Sequence, residues 1–437
     1  GDDHKFIRII ALIVSLAEFL FSLLMIRAVP VGATGYHLEE YAKWIDQPPI
    51  HYHLGVDGIS LFLVILTTFL TPISILASWQ SIEHRVKEFF VMLLMLELGV
   101  VGVFLSLDLF LFFLFWEVML IPMAFLIGIW GHERRVYAAV KFVLYTMAGS
   151  ILMLVGIIWL YNATGTFDLP TVEALLHTPL SQGGLELAPR TEMLLFLAFF
   201  LAFAIKVPLF PLHTWLPDAH VEAPTAGSVM LAGVLLKMGT YGMIRFCLPG
   251  MSTGALFLLV GMLHDRRHTF EISEYGGLAT PMPKLAAFFL FVALSSLGLP
   301  MLNGFVGEYL VLLGTYQRHW GWASWAALGV ILSACYLLWS YQRVFFGEIT
   351  REKNRTLPDV SAREKWILAT MAIVTLWMGV GSTFITARTA AAAQSVIDEV
   401  EPQRPYEAAT PDSATPQAKL DSSGAAKAIS SERLGIR

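Results

Sequence analysis

Apolar segments of about 20 residues recur along this chain, and they restrict its fold more than any other feature. A helix needs about 20 mostly apolar residues to cross a hydrocarbon core about 30 Å thick. Of the 437 residues, 56% are hydrophobic and 14% are charged, whereas a soluble globular chain carries about 25% charged residues. The chain has too little polar surface to face water on all sides. We therefore predict a polytopic, all-α membrane protein.

The hydropathy pattern predicts about eleven membrane spans or parts of spans. In chain order they are 6–26, 56–78, 88–106, 109–129, 136–160, 192–210, 223–247, 251–263, 284–316, 323–346 and 366–387. Soon after residue 387 the sequence becomes rich in Ala, Ser, Pro and Glu and loses its apolar pattern. We therefore expect a transmembrane domain over residues 1–387 and a polar, disordered tail in water over 388–437.

Basic residues in the connecting segments predict the orientation. The short segments on one side hold Lys5 and Arg8, Arg85 and Lys87, and Arg134 and Arg135. The loops 27–55 and 161–190 lie on the other side and carry few basic residues for their length. Because positively charged loops stay in the cytoplasm, we place the first side inside and the two long loops outside.

The loop before the second span has a pattern of its own. Residues 50–54, Ile-His-Tyr-His-Leu, alternate in the period-two manner of a β-strand. We predict a short strand there.

The apolar segment 251–263 is too short to cross the membrane alone, and it directly follows Pro249 and Gly250. A half helix exposed to lipid would leave backbone N–H and C=O groups without partners. We therefore expect that residues are missing between 249 and 251.

Several function classes lack their sequence signals. The two cysteines, Cys247 and Cys335, both lie in apolar runs, so neither a disulfide framework nor a Cys-ligated iron–sulfur site is available. The sequence contains no GxGxxG after a strand, no P-loop and no HExxH. A net charge of -5 gives no indication of a nucleic-acid partner. We expect no cofactor in this chain, and any redox centres belong to other subunits.

Four charged residues lie deep inside predicted spans: Glu117, Lys206, Lys237 and Glu308. An ionised side chain at the centre of a membrane helix costs about 2.5–3.5 kcal/mol, so it needs a partner, a water-filled cavity or a function. Two acids and two bases on separate helices are able to line a polar axis along the membrane plane. We interpret them as a pathway for protons or cations. The alternative is that they neutralise each other in pairs and only fasten helices together.

Lysine suits a proton carrier in this setting. Burial disfavours its charged form and a neighbouring carboxylate favours that form, so a charge that moves nearby would load and unload Lys206 or Lys237. Glu97 is a weaker candidate. It either assists Glu117 or makes only a packing contact between helices.

Proline interrupts two of the charged segments. Pro208 and Pro211 follow Lys206, and Pro300 precedes Glu308. A pair of interrupted apolar segments in the two halves of a chain points to a binding site between repeats. The alternative is an ordinary proline kink in each helix.

The polar residues His213, Asp218, His220 and Glu222 follow the first interruption. Histidine and carboxylate side chains are able to bind Zn²⁺, but this stretch follows a proline-broken helix near the end of a span. We therefore favour a hydrogen-bonded network or a water path over a metal site.

Three motifs resemble a known family. They are FLFWEVMLIPMAFLIGIWG (113–131), KVPLFPLHTWLPDAHVEAPTAGSVMLAGVLLKMGTYGMIRF (206–246) and GLPMLNGFVGEYLVLLG (298–314). Each is similar to a motif of the antiporter-like chain M (mitochondrial chain 4) family of the proton-pumping NADH–quinone oxidoreductase, respiratory complex I. The resemblance covers nearly all of residues 6–387. A glutamate at position 308 resembles chain M, whereas the sister chains typically carry lysine there.

The resemblance implies an antiporter-like fold of fourteen helices, in which two five-helix units with broken helices form an inverted repeat. It implies that Glu117 modulates the proton affinity of Lys206. It further implies that Lys237 links the half channels and that Glu308 passes the proton toward the outer side. Residues of the family pattern are absent between 249 and 251.

From this resemblance we expect a membrane-arm subunit that translocates protons, driven by quinone reduction elsewhere in the complex. Flavin and iron–sulfur clusters would belong to partner subunits. This chain would contact neighbouring antiporter-like chains and lipid, and quinone only indirectly. Neither a metal nor a nucleic acid is expected, and the expected location is the bacterial inner membrane. The alternatives are a subunit of a multisubunit Na⁺/H⁺ antiporter and a structural subunit that does not conduct.

Overall fold

A computed structural model of the chain describes residues 2–178, 182–185, 187–244, 262–263, 266–267, 271–349 and 351–400. Most of the segment 251–263, the junction between 249 and 251, Cys247 and the tail beyond 400 lie outside these residues.

Helices form the membrane-embedded part. The helices of the first half are α1 (Asp2–Ser22), α2 (Met25–Ala28), α3 (Ser60–Ala77), α4 (Val86–Leu105), α5 (Leu109–Val118), α6 (Leu120–Trp130), α7 (Arg135–Thr164), α8 (Leu169–His177) and α9 (Pro189–Lys206). They are followed by α10 (Trp215–Glu222), α11 (Thr225–Met230), a π-helical turn (Leu231–Leu235), α12 (Leu236–Ile244), α13 (Pro283–Ser296), α14 (Asn303–Arg318), α15 (Trp320–Phe345), α16 (Ala362–Val380) and α17 (Ser382–Val400).

The predicted number of spans is only partly reflected in these helices. Among the described residues, six helices are long and apolar enough to cross a membrane, and a seventh span arises if α16 and α17, bent by 63° at their junction, count as one. Several other apolar segments are divided into shorter helices, so the figure of eleven stays a prediction. The buried core lies mainly among α3, α4, α6, α7 and the helices from α10 to α12.

The last helix differs from the boundary drawn at residue 387. The apolar pattern ends there, but α17 continues to Val400. The run of four alanines at 390–393 explains the difference, because alanine has the highest intrinsic helix propensity and needs no apolar stripe to form a helix.

A β-hairpin lies in the loop before α3. Strand β1 (His37–Ile45) pairs antiparallel with β2 (Ile50–Val56). In β2, His51 and His53 are buried while Tyr52 between them is exposed, as the period-two geometry of a strand requires. The predicted short strand is confirmed. The all-α prediction holds for the membrane part and omits this hairpin.

Backbone hydrogen bonds join the hairpin to two other loops. The N–H of Leu107, between α4 and α5, donates to His53 O at 2.9 Å. The N–H of Leu109 donates to Phe167 O, and the N–H of Leu169 donates to Leu107 O, each at 2.8 Å. The two loops predicted to lie outside therefore meet on one side of the bundle.

The basic segments gather at the opposite end. The Arg8 guanidinium donates to Ile82 O at 2.8 Å, and the Trp130 indole N–H donates to His84 O at 2.9 Å. The backbone N–H of Arg134 donates to the Glu222 carboxylate at 2.9 Å. These contacts agree with the predicted division of the loops between two sides.

Two helix breaks have the same backbone pattern. One separates α9 from α10, and the other separates α13 from α14. In the first break the hydrogen bonds are Val207 N–Phe203 O, Leu209 N–Ala204 O and Leu212 N–Leu209 O. In the second they are Leu297 N–Ala293 O, Leu299 N–Leu294 O and Leu302 N–Leu299 O, with the same spacings in the same order. The two breaks therefore share one backbone geometry, although Pro208 and Pro300 occupy different positions within it, and the predicted broken helices are confirmed.

Candidate functional site

Lys206 is the last residue of α9 and only 1% exposed. The helix ends here because Pro208, two residues on, has no backbone N–H to donate. The Lys206 Nζ lies 3.7 Å from Met119 Sδ, and 5.2 Å and 5.7 Å from the ring centroids of Trp116 and Phe142. Aromatic faces attract a cation, as does the C-terminal end of a helix dipole. Among the described residues, no carboxylate lies within ion-pair distance of this lysine.

Glu117 is the penultimate residue of α5 and is half-buried. Its Oε1 is buried and has no hydrogen-bond partner within the described part of the chain. Its charge acts on Lys206 electrostatically, although the two do not form an ion pair.

Lys237 lies two residues after the end of the π-helical turn and is 9% exposed. Its Nζ donates to Ala232 O, inside that turn, at 3.2 Å. A π-helical turn is often found at functional sites, because it inserts one residue and alters the backbone hydrogen bonding. The charge of Lys237 also acts on His220 of α10. This lysine is therefore oriented by an irregular turn and faces the helix that follows the first break.

His213, Asp218 and His220 do not form one cluster. Asp218 accepts a hydrogen bond from Lys141 of α7 at 2.6 Å, His213 packs against the ring of Phe210, and His220 faces Lys237. Among the described residues, no group of three or more His, Cys, Asp or Glu is placed to hold a metal ion. The sequence reasoning missed Lys141, although it is a charge inside a predicted span.

The Lys141–Asp218 ion pair predicts a stabilising role for both residues. Both side chains are partly exposed, so we expect Asp218→Ala to destabilise the subunit by about 1–2 kcal/mol, between the values of exposed and buried pairs. The charge-swapped double variant Lys141→Asp/Asp218→Lys should recover both assembly and proton pumping. Complex yield and pumping in vesicles are the measurements. If the swap restores assembly but not pumping, Asp218 takes part in proton transfer itself.

Glu308 lies in the second turn of α14, after the second break. Its carboxylate occupies the space beside Gly298, where any larger side chain would collide with it, and Gly298 has a φ of 69° that favours glycine. Nearby, the Ser295 hydroxyl donates to the Asn303 side-chain carbonyl at 2.6 Å. No cation within the described ranges is close enough to pair with Glu308. The carboxylate is thus held against the broken backbone.

Glu97 is fully buried in α4. The negative charge that acts on it belongs to Glu18 of α1, a residue that the sequence reasoning missed although it lies inside the first predicted span. The structure therefore joins Glu97 to α1 and gives no contact between it and Glu117. Its assistance to Glu117 stays a prediction.

The outer loops carry a second polar group of residues. His53 Nδ1 lies 2.6 Å from Asp168 Oδ1 and its Nε2 lies 3.4 Å from Glu39 Oε2. His51 Nδ1 lies 4.0 Å from Asp108 Oδ2. The sequence signal for the two aspartates is their position directly before α5 and α8, where Asp is a preferred N-cap.

Both aspartates do cap helices. Asp108 accepts hydrogen bonds from the backbone N–H groups of Phe110 and Leu111 at 2.9 and 3.0 Å, and Asp168 accepts one from Thr171 at 3.1 Å. Burial raises the pKa of the Asp108 carboxyl above its ordinary value, against the lowering effect of these donors and of the His51 N–H. This carboxyl is thus easier to protonate than an exposed aspartate.

A membrane bundle with two equivalent broken helices and buried charges defines the class of antiporter-like transport subunits. The profile of a family described as "NADH:quinone oxidoreductase/Mrp antiporter, TM" matches residues 106–255 and 248–334. That of "NADH-ubiquinone oxidoreductase chain 4, amino terminus" matches residues 5–102. The chain belongs to the family of NADH-quinone oxidoreductase subunit M and its counterpart chain 4.

Individual relatives agree with this assignment. NADH-quinone oxidoreductase subunit M of Rhodobacter capsulatus is 42% identical, with 86% of this chain and 88% of the relative covered. NADH-ubiquinone oxidoreductase chain 4 of Arabidopsis thaliana is 37% identical over the same shares. The first alignment spans 451 residues, more than the 437 of this chain. The alignment therefore contains gaps in this chain, and they lie opposite residues that the relative has.

Solved structures share the fold. A chain of respiratory complex I from Thermus thermophilus has a TM-score of 0.78 and 27% identity, and the match covers 90% of this chain and 95% of that one. A chain of the Mrp complex from Dietzia has a TM-score of 0.76 at 19% identity, covering 92% and 93%. The second likeness concerns the fold alone. The protein is an integral membrane protein of the bacterial inner membrane type.

Proposed function

We propose that this chain is a membrane-arm subunit of NADH–quinone oxidoreductase that translocates protons. The observation that carries the proposal is Lys206, a buried lysine at a helix break with aromatic rings around it and no carboxylate in ion-pair contact among the described residues. A lysine in a tight ion pair is fixed in its charged form, whereas this one is free to change its protonation state. The family relationship makes the proton the transported species.

The neighbouring charges supply a means of control. Two unit charges 4 Å apart interact with about 4 kcal/mol at an effective dielectric constant near 20, and the energy falls inversely with distance. The field of Glu117 therefore favours the protonated form of Lys206 without an ion pair. When that negative charge is neutralised or screened, Lys206 releases its proton. Lys237, oriented by the π-helical turn, is the next base toward the second half of the chain, and Glu308 is the acid there.

The energy for this movement comes from outside the chain. We propose that quinone reduction elsewhere in the complex drives it through conformational or electrostatic coupling, with the flavin and iron–sulfur clusters in partner subunits. The direct partners are other antiporter-like chains and lipid. The fold of the Mrp complex supports a Na⁺/H⁺ antiporter subunit as a second candidate function, but only at the level of fold.

Affinity purification from the native membrane separates these candidates. The proposed function requires that the tagged chain brings down flavin and iron–sulfur subunits with NADH:quinone reductase activity. An antiporter subunit would instead yield a redox-free complex whose vesicles exchange Na⁺ for H⁺. A complex with redox activity, but with unchanged pumping in every variant of the four charged residues, would identify a structural subunit.

The electrostatic role of Glu117 predicts a difference between two substitutions. Glu117→Gln removes the charge and should strongly reduce proton pumping. Glu117→Asp keeps the charge with a shorter side chain and should retain much of it, because a field acts over a distance that a hydrogen bond does not. Pumping and NADH oxidation are measured in reconstituted vesicles. Equal loss in both variants would show that the reach of the carboxylate matters more than its charge.

A further inference from the structure

Two glutamates on neighbouring helices face each other inside the first half of the bundle. Glu97 of α4 is fully buried, and Glu18 of α1 is half-buried. Both lie near the middle of helices that are long and apolar enough to cross the membrane, His4–Ala28 and Val86–Leu105. Their side chains are within hydrogen-bonding contact. We call them the Glu18–Glu97 pair.

The packing of α1 against α3 supports this position independently. The two helices run antiparallel, because the outer hairpin lies between them in the chain. Ser22 Oγ of α1 lies 2.8 Å from Thr68 Oγ1 of α3. Glu18 is one turn before Ser22 and Thr71 is one turn after Thr68, so these two residues lie at the same depth on the facing surfaces. Thr71 is also the residue of α3 that lies beside Glu97. The pair therefore lies where α1, α3 and α4 meet.

Hydrogen-bond donors are missing around Glu97. Neither of its carboxylate oxygens accepts a hydrogen bond from a donor in the part of the chain that the structure describes. The nearby hydroxyls donate within their own helix, Thr71 to Thr67 O and Thr68 to Val64 O, each at 3.1 Å. A carboxylate only accepts hydrogen bonds. The contact between the two glutamates therefore becomes a hydrogen bond only when one of them carries a proton.

Cations do not neutralise the pair either. Helix α3 contains no charged residue, and the nearest bases in α1 and α4 are Arg8 and Lys87. Each is ten residues, or about 15 Å along its helix, from the glutamate of that helix. The other helices around α4 carry Glu117 and Lys237, and neither of these charges acts on the pair. An ionised carboxylate that is buried without a partner is strongly disfavoured.

We propose that the Glu18–Glu97 pair is a proton-binding site in which two carboxyl groups share one proton. Like charges about 3 Å apart cannot both form, so the doubly ionised pair is disfavoured. One bound proton creates a charge-assisted O–H···O⁻ hydrogen bond, which is roughly twice as strong as a neutral one. A second proton would replace that bond with the weaker neutral one. The shared proton lies between one oxygen of each residue, and its release leaves two carboxylates.

The site is separate from the route through Lys206, Lys237 and Glu308, and it does not depend on the proposed function. Helix α4 reaches Lys206 through packing only. A Cβ atom at Gly99, two residues after Glu97, would lie 2.8 Å from Met119 Cβ, and Met119 Sδ lies 3.7 Å from Lys206 Nζ. A change of protonation at the pair therefore acts on the contact between α1 and α4, and the shared proton is not passed to Lys206.

Labelling with dicyclohexylcarbodiimide tests for the shared proton, because this reagent dissolves in lipid and adds to protonated carboxyl groups. An exposed glutamate has a pKa of about 4.3 and is ionised at neutral pH. In native membranes that contain the whole complex, we expect neutral-pH labelling of Glu18 or Glu97, but not of both in one chain. Glu88, exposed on α4, is the internal control and should stay unlabelled. Peptide mass spectrometry measures the labelled fraction of each residue.

Two substitutions at Glu97 separate a shared proton from two independent ones. Glu97→Gln offers an amide N–H to the Glu18 carboxylate in place of the proton, so labelling of Glu18 should fall at least about tenfold, as the strength of a hydrogen bond to a charged group implies. Glu97→Leu offers no donor, so Glu18 should stay protonated and labelled. The leucine variant also shows that the reagent reaches Glu18.

Three results would overturn the site. Equal labelling of Glu18 in the glutamine and leucine variants would mean that each carboxyl holds its own proton. An unlabelled wild type beside a labelled leucine variant would mean that both carboxyls are ionised. Suppression of wild-type labelling by NaCl, but not by KCl, would identify a sodium site.

Infrared difference spectra at neutral pH are the second measurement if the reagent labels neither carboxyl in any variant. Wild type minus Glu97→Gln should show the C=O stretch of one protonated carboxyl. Glu97→Gln minus Glu18→Gln/Glu97→Gln should show none. A missing band in the first spectrum or a band in the second would contradict the shared proton. Both measurements report proton binding, so their results should be unchanged in Lys206→Ala, whereas the pumping of that variant tests the proposed function.

Discussion

Replacement of Lys206 by alanine should abolish or strongly lower quinone-coupled proton pumping while the complex still assembles. A positioned proton-transfer group typically contributes about 10²–10⁴-fold to a rate, and Lys206 is the buried base at the first helix break. The measurement is NADH-driven proton uptake together with NADH oxidation in reconstituted vesicles. Unchanged pumping in this variant would contradict the carrier role.

Two further variants at this position separate charge from packing. Lys206→Met keeps an unbranched side chain between Trp116 and Phe142 and should fail as alanine does. Lys206→Arg keeps a positive charge that does not deprotonate in proteins, so it too should fail if release of a proton is required. Normal pumping in the arginine variant would mean that only a fixed charge is needed at this position.

Replacement of Glu308 by lysine should keep partial pumping, whereas Glu308→Ala should lose it. Carboxylate and ammonium groups each carry one exchangeable proton, and burial moves their proton affinities in opposite directions, so both are able to approach the working pH. No cation among the described residues is paired with Glu308, and a new lysine would therefore not face a fixed positive partner.

The competing explanation for Glu308 gives the opposite order. If this carboxylate only neutralises a cation, Glu308→Lys brings two positive charges together and should be clearly worse than alanine. Pumping and assembly of the two variants, measured side by side, decide between the explanations.

Hydropathy and the cost of a buried charge were sufficient to predict the helical membrane bundle and the candidates Glu117, Lys206, Lys237 and Glu308. The breaks were predictable because proline removes a backbone donor. The Lys141–Asp218 pair was not predictable, because the packing of α7 against α10 decides which residue pairs with Asp218. Glu18 was likewise not predicted as a site residue, because only the packing of α1 against α4 places it near Glu97.

Irregular backbone structure was the second kind of feature that the sequence did not predict. The π-helical turn before Lys237 inserts one residue without changing composition or hydropathy. Strand β1 is almost entirely exposed and mixes charged with apolar residues without a regular alternation, and its hydrogen bonds to β2 make it a strand. The surroundings of Asp108 depend on three separate loops meeting in space. Such features arise from contacts between distant residues, which a periodic pattern does not encode.

The hydrogen bonds among the outer loops also constrain how the polypeptide is inserted into the membrane during synthesis. Leu107, at the centre of this junction, donates to the hairpin through His53 and accepts from Leu169, which is made only after α7. A nascent chain that ends before residue 169 has already exported the hairpin, yet one of its docking partners is still missing, and unpaired strand edges are sites of aberrant association. The hydrogen-bonded junction on the outer face of the first helices is therefore completed only after α7 has crossed the bilayer and the loop before α8 has been exported.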